Sequence, residues 1–518
     1  MLPATNDASY RAMSYAGCAH HDTHPMYIRP IATLLGLEPA PLSRCRVLEL
    51  GCAEGRNLLP MAAGHPDARF VGLDLSERHI QVARECASAL GLGNIQFVAA
   101  DIEESGDDLG TFDYILVHGV YSWVPEAARR RVMALCRALL APQGVAYISH
   151  NIYPGWHRKD AVRRMMLHQI RDVESPADQV AAAKALIQFL SDAASPNDPS
   201  YAAWLKDEAD FLAGCDDFYV FHEHIAVHNE PTYFHEFMAE AHAHGLQFVA
   251  DAFLPANFGK MMPDALCQEL LRHSGPERLD FEQHCDFLLN RTFRKTLLCR
   301  DDAPVAMPPR LASWADTHAL CPFEPAPDVE ADPGLTAWRK GPLVVNVSPP
   351  IEALLEILAA RWPCSMPVAE LFAAYCERAE DGGAEESTLE AFCGQLFTPA
   401  IFELIQISAV PVISGVSAER PELTASVRHQ LHTRATPLTT AHHNTATLTE
   451  PLRELALLAD GTRDLDQLAA ALGPSWTAVP PPEQPAAEQP GPDEKASPPL
   501  TERVARAVTY LRYLGLLR

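Results

Sequence analysis

No two cysteines stand at C-x-x-C spacing, although thirteen are scattered along the 518 residues. That excludes the common zinc frameworks and fits small, reduced, mostly buried side chains better than a disulfide scaffold. No apolar run approaches the roughly 20 residues that a membrane helix needs. The opening "MLPATNDASYRAMSYAG" has no basic region followed by an apolar core, so a cytoplasmic chain with no integral membrane segment is expected. Lysine and arginine number 41 against 67 acids, and the formal net charge of −26 repels nucleic-acid phosphates. Nucleic acid is not an expected partner, whereas a basic one, including a lysine-bearing protein, would be attracted.

A dinucleotide-type glycine turn, G-x-G-x-x-G/A, is also missing. In "VLELGCAEGRN" (47 to 57) its middle position is Ala53 and its sixth is Arg56. The stretch instead reads E-x-G-x-A-x-G, with Glu49, Gly51, Ala53 and Gly55 between an apolar strand and a run, "NLLPMAA", that is apolar at helical spacing. Glycines in a strand-to-helix turn let a ligand approach the helix N-terminus closely. An acid at the strand end suits a ligand with a cationic amino group and no pyrophosphate, which describes S-adenosylmethionine.

Further strands follow in alternation with helices. "RFVGLDLS" (69 to 76) ends in Asp74, placed for ribose hydroxyls, and "IQFVAADIEE" (95 to 104) holds Asp101 for an adenine amino group beside the apolar Ile102. Cys52, Leu75 and His118 fall at the same edge and join the cofactor set. "FDYILVHGVYSWV" (112 to 124) and "GVAYISHNIYPGW" (144 to 156) are the fourth and fifth strands. The alternation implies right-handed parallel crossovers and a doubly wound α/β sheet. "LQFVADAF" and "FRKTLLCR" then complete seven strands with a final antiparallel member, closing the first domain near 300. Residues 157 to 220 are expected as a helical lid. Six histidines between 222 and 244 lack a defined metal geometry, and no metal is expected.

Beyond 300 the pattern changes. Residues 301 to 342 are proline-rich and expected as a connector, and 479 to 499, "VPPPEQPAAEQPGPDEKASPP", as a disordered insert. Between and after them, 343 to 518 holds two related units of proline, helix, turn, helix, third helix and apolar ending, similar in pattern to winged helices. Their acidity points to packing or partner recognition rather than DNA. On that reading, removing residues beyond about 340 leaves cofactor binding intact.

Taken together, "CRVLELGCAEGRNLLPMA", "HGVYSWVP", "NIYPGWH", "HEHIAVHNEPTYFHEFMAEAHAHGLQF" and "DFLLNRTFRKTLLC" resemble bacterial class I methyltransferases that carry a methyltransferase regulatory domain, here about 215 to 300. The resemblance implies a Rossmann-like, S-adenosylmethionine-dependent fold with cofactor contacts at Glu49, Gly51, Asp74, Asp101 and Ile102. Characterised relatives methylate lysines of bacterial outer-membrane proteins, which implies a protein substrate with an accessible lysine. By matching positions, Tyr153 and Trp156 of "YPGW" line the lysine channel.

The chemistry of that segment supports an acceptor site in its own right. Methyl transfer needs a desolvated neutral amine held in line, and aromatic faces stabilise the ammonium before its proton leaves. Tyr121, Trp123, Tyr153 and Trp156 all follow the ends of the fourth and fifth strands, with Asn151 as a polar candidate beside them. A small-molecule methyltransferase and a non-catalytic scaffold of the same fold remain alternatives to the protein-lysine reading.

Overall fold

The branched and aromatic runs pair into one sheet in the computed structural model, which describes residues 17–106, 109–194, 197–257, 259, 262–378, 388–414, 420–477 and 498–518. After α1 (Pro25–Leu34), β1 (Arg46–Leu50) enters the glycine turn and α2 (Leu58–Gly64). β2 (Arg69–Asp74), α3 (Glu77–Ala89), β3 (Ile95–Ala99), β4 (Phe112–Val117), α4 (Glu126–Leu139) and β5 (Leu140–Asn151) continue the alternation. The helices α5 (Trp156–Ile170), α6 (Pro176–Asp192) and α7 (Pro199–Gly214) follow, packed around their own core of Val162, Met166, Val180 and Ile187. Then come α8 (Phe234–Ala243), β6 (Leu246–Asp251), α9 (Asp264–Ser274), α10 (Arg278–Leu289) and β7 (Phe293–Arg300).

The strand order is β3-β2-β1-β4-β5-β7-β6, with β7 antiparallel to both its neighbours; seven strands with an antiparallel last one are what the sequence led us to expect. Successive side chains alternate between faces. Val47, Tyr114 and Tyr147 pack toward α1 and α2, while Leu48, Ile115 and Ile148 pack on Val132, Met133 and Cys136 of α4. Helices cover both faces, which is why these strands read as nearly unbroken apolar runs. The winding direction reverses between β1 and β4, so a crevice opens outside their carboxyl ends.

Residues 301–342, expected as a patternless connector, carry β8 (His318–Leu320), β9 (Glu324–Pro325) and β10 (Thr336–Lys340). Strands this short hold too little alternation to stand out in a proline-rich stretch. β11 (Leu343–Val347), α11 (Pro349–Ala359), β12 (Met366–Pro367), α12 (Val368–Arg378), α13 (Leu389–Ile401) and β13 (Gln406–Ser408) follow; β8 pairs with both β12 and β13. The next stretch repeats the plan with α14 (Ala425–His432), the hairpin of β14 (Leu438–Thr439) and β15 (Thr445–Ala446), α15 (Glu450–Leu458), α16 (Leu465–Leu472) and α17 (Leu500–Tyr513). Bridges from Glu422 to Asp460 and from Leu423 to Leu517 replace the pairings of β8. The expected disordered insert falls almost wholly on 478–497, outside the described residues. Among the described residues no helix is long and apolar enough to cross a membrane.

These units are not set apart from the sheet. Leu34 of α1 is buried in one cluster with Trp314, Leu355 and Leu396, and Trp314 Nε1 donates to Pro30 O at 3.1 Å. Ala409 N–H, just after β13, donates to Met26 O at 2.8 Å. The tail therefore covers α1, which in turn covers the sheet.

Candidate active site

The glycine turn is built by its backbone. Gly51 and Gly55 have φ of +77° and +73°, and a Cβ at Gly51 would lie 2.4 Å from Val120 Cγ2. The Gly51 and Cys52 N–H groups donate to Leu73 O, tying the turn to β2. Ala53 also takes a left-handed conformation, φ +46°, and its N–H donates to Asp74 Oδ2 at 2.8 Å. Asp74 Oδ1 accepts from Ser76 N–H at 2.9 Å. Asp74 thus holds the turn that it faces, a task its position alone did not reveal. A carboxylate oxygen has lone pairs to spare beyond one backbone donor.

Glu49 is 4% exposed. Its Oε1 accepts from Asn57 Nδ2 at 2.8 Å, and its Oε2 is buried with no hydrogen-bond partner among the described residues. Burial pushes its carboxyl up to about 8, the Asn57 hydrogen bond opposing and the charge of Asp74 adding to the shift. A buried orphan acceptor is costly, and a cationic amino group is the donor it lacks. With the side-chain-free turn beside it, this edge fits S-adenosylmethionine.

The rest of the residues expected to hold the cofactor follow the ends of the neighbouring strands. β3 ends at Ala99 because the chain turns at Asp101, whose Oδ1 accepts from Glu103 N–H and whose carbonyl accepts from Ser105 N–H. Ile102 packs against the apolar cluster under α4, whereas Leu75 is 48% exposed. His118, beyond β4, meets the Tyr147 hydroxyl through Nδ1 at 2.9 Å and stacks on His20 with ring centres 3.7 Å apart. Burial and the neighbouring charges of His20 and Lys295 hold its imidazole neutral.

The aromatic candidates divide. Tyr121, in the single turn after β4, is buried. It is 3% exposed and packs edge-on against Phe237 and His150, because the single turn after β4 directs it back into the core. Trp156, also 3% exposed, meets Trp123 edge to face at 6.3 Å, and the ammonium of Lys159 sits 5.2 Å from the centre of its ring. Tyr153 belongs to a second, half-buried group. It stacks on His157 at 4.0 Å and lies 5.4 Å from Tyr233, whose hydroxyl meets His157 Nε2 at 3.1 Å. Asn151, at the end of β5, donates from Nδ2 to Asn229 Oδ1 at 3.2 Å. Of the residues that sequence reasoning missed, Asn57 follows the turn directly and was within reach. Tyr233 and Asn229 come from a segment some 80 residues away, with no local signal.

Among the described residues no three His, Cys, Asp or Glu side chains form a metal-holding group. His235 bonds Gln283, and His244 bonds the carbonyl of Glu240.

Family models match two stretches: "Methyltransferase domain" at residues 47–144 and "Predicted methyltransferase regulatory domain" at 216–300. The uncharacterized protein RP789 of Rickettsia prowazekii is 38% identical over 296 residues, which is 57% of this chain and about half, 53%, of that relative. RP028 of the same organism is 34% identical over 241 residues, covering 46% of this chain and 96% of the relative. Among solved structures, PKMT2 from Rickettsia typhi in complex with AdoHcy is similar over 97% of this chain and 99% of its own, with 25% identity and a TM-score of 0.81.

Proposed function

We propose that this chain, which belongs to the S-adenosylmethionine-dependent class I methyltransferases carrying a methyltransferase regulatory domain, transfers methyl groups to lysine side chains of a protein substrate. The observation that carries the reading is the aromatic group after β5, where the face of Trp156 already accommodates an alkylammonium, that of Lys159. The name PKMT2 of the structural relative supports the same class. An outer-membrane protein with accessible lysines is the substrate that the sequence resemblance favours, and the net charge of −26 draws basic segments toward the chain.

S-adenosylmethionine, when bound, supplies a methyl group activated on a sulfonium. Glu49 takes its amino group through Oε2, Asp74 its ribose hydroxyls, and Asp101 with Ile102 its adenine. Gly51, Cys52, Ala53, Gly55, Leu75 and His118 line the cradle. Trp156 and Trp123 hold the incoming lysine, and Asn151 orients its amine. The His157–Tyr233 pair beside Tyr153, open to solvent, passes the departing proton to water.

Incubation of candidate proteins with isotope-labelled S-adenosylmethionine, read by mass spectrometry, tests the reaction: labelled methyl on lysine supports it, and transfer only to small molecules overturns it. Trp156→Leu is expected to lower methyl transfer by about 0.5–2 kcal/mol, roughly 2- to 30-fold, while Trp156→Phe keeps most of it, because a ring face and not volume holds the cation. S-adenosylmethionine affinity should change little in either, since the lost contact acts on the acceptor. Equal rates in Leu and Phe variants would place the acceptor site elsewhere.

Glu49 leads to a second expectation. With its carboxyl held near 8, the free protein is protonated there at pH 7, and pairing with a cationic amine requires it to ionise. Cofactor binding at pH 7 therefore releases close to one proton, seen as a buffer-dependent heat in calorimetry, and Glu49→Gln abolishes the release. In the free protein the folded value lies above the ordinary 4.5, so the folded chain holds a proton that the unfolded chain gives up. That contribution to stability is full below 4.5 and is lost as pH rises through about 8.

A further inference from the structure

The loop between β14 and β15 is a hairpin tip, a place where chains ordinarily meet solvent. Here His442 and His443 at the tip are both 3% exposed. The tip is seated against the amino-terminal segment and the start of α2. The His442 carbonyl accepts from Tyr27 Oη at 3.2 Å and from His21 Nδ1 at 3.0 Å, while the His442 ring stacks flat on Trp362. His443 occupies the left-handed region, φ +55°, which turns its ring inward. Its Nε2 lies 2.8 Å from Asn57 Oδ1.

The orientation of the Asn57 amide is settled by its other contacts. His20 N–H can only donate, and it points at Oδ1 from 3.0 Å; the Asn57 NH2 group donates to Glu49 Oε1 and to Thr23 Oγ1. His443 must then carry its proton on Nε2 and donate it to Oδ1. Burial, with the neighbouring His21, His20 and His65, keeps that imidazole neutral, as the single-donor arrangement requires. A line of directed hydrogen bonds thus runs from a residue 386 positions away, through Asn57, to one oxygen of Glu49, and leaves the other oxygen without a partner.

We infer that the second helical unit completes the methyl-donor site, and that His443 is a positioning residue which, through Asn57, aims Glu49 Oε2 at the donor's amino group. The inference rests on Glu49 binding that group. An amide accepting from both His20 and His443 cannot rotate without losing two hydrogen bonds, so Glu49 is held in one rotamer before the ligand arrives. Preorganisation of this kind raises affinity by removing an ordering cost. Undocking of the hairpin releases Asn57 and weakens donor binding, so the tail acts on the donor as well as on any partner.

The test is a double-mutant cycle on the full chain, with S-adenosylhomocysteine binding read by calorimetry and thermal melting read alongside. His443→Ala is expected to weaken binding about fivefold to tenfold, the scale of one buried hydrogen bond. His443→Gln, whose amide nitrogen reaches a similar point and can donate, should come within about twofold of the parent. In an Asn57→Ala background, His443→Ala should cause no further loss, because the two act as one unit. A glutamine variant as weak as the alanine one, or losses that simply multiply, would reduce His443 to packing and overturn the inference. So would an alanine variant that melts earlier but binds with parental affinity. If Glu49→Gln binds as well as the parent, the underlying assignment of Glu49 fails; if it binds weakly while the cycle is additive, only the role of His443 fails.

Discussion

A chain ending at residue 340 is expected to lose both S-adenosylmethionine binding and its cooperative thermal transition. The cut removes β11 to β13 and everything beyond them, and so uncovers α1. Leu34, fully buried among Leu355, Leu358 and Leu396, would meet water, as would the side of Met26 and Tyr27 against β13 and the hairpin tip. Exposing each large apolar side chain costs about 1.5–3 kcal/mol, and three or four of them consume most of the roughly 5–15 kcal/mol that holds a domain together. A chain ending near 420 keeps the first unit and its hold on α1. It should melt cooperatively, at a lower temperature, and bind S-adenosylhomocysteine more weakly. Parental affinity in the shorter chain would show that the tail is a separable module, the expectation raised by the sequence alone.

Arg294→Met is expected to destabilise the protein by about 3–5 kcal/mol, the cost of leaving buried carboxylates without their cation. Arg294 lies on β7, 1% exposed, over the ring of Phe234. Its Nε donates to Asp286 Oδ2 at 2.9 Å, and its Nη2 donates to Glu282 Oε2 at 2.9 Å and Asp286 Oδ1 at 2.8 Å. The two carboxylates raise its affinity for its proton, so it stays charged despite burial. Removing it leaves Arg291 alone to face both acids, at 3.2 Å from Asp286 and 3.8 Å from Glu282. Methyl transfer should fall as well. Residues 290 to 292 cradle the "YPGW" turn, with Gly155 N–H donating to Arg291 O and no room for a Cβ at Gly155. Thermal melts of Arg294→Met, and of the triple variant with Glu282→Leu and Asp286→Leu, check the cause. Apolar replacement of all three groups should recover part of the loss, because the two fully buried carboxylates go with their cation and only the partly exposed Arg291 loses its partners.

The seven-stranded sheet was legible in the sequence because its central strands are buried on both faces and most are separated by helices, so periodicity changes sharply at those boundaries. The glycine turn was legible for a related reason: positive φ at Gly51 and Gly55 is a requirement on residue type, readable one position at a time. Strand-end acids could likewise be named from their places in the alternation. Their local duties could not. Asp74 gives one oxygen to the glycine turn through Ala53 and the other to Ser76 at the start of α3, and Glu49 is held by a side chain eight residues further on.

What the sequence by itself determined is therefore the α/β sheet, the place of its crevice and the class of ligand that an acid beside a bare backbone turn can take. Only the tertiary structure decided how the aromatics after β4 and β5 group. The turn after β4 sends Tyr121 into the core, while Trp156 and Tyr153 enter different groups. It also decided that the tail packs on α1 and on the segment that follows the glycine turn. Contacts such as Trp314 to Pro30 and His443 to Asn57 span hundreds of residues. No periodicity or local propensity encodes them, because they arise when surfaces from distant segments are buried against each other.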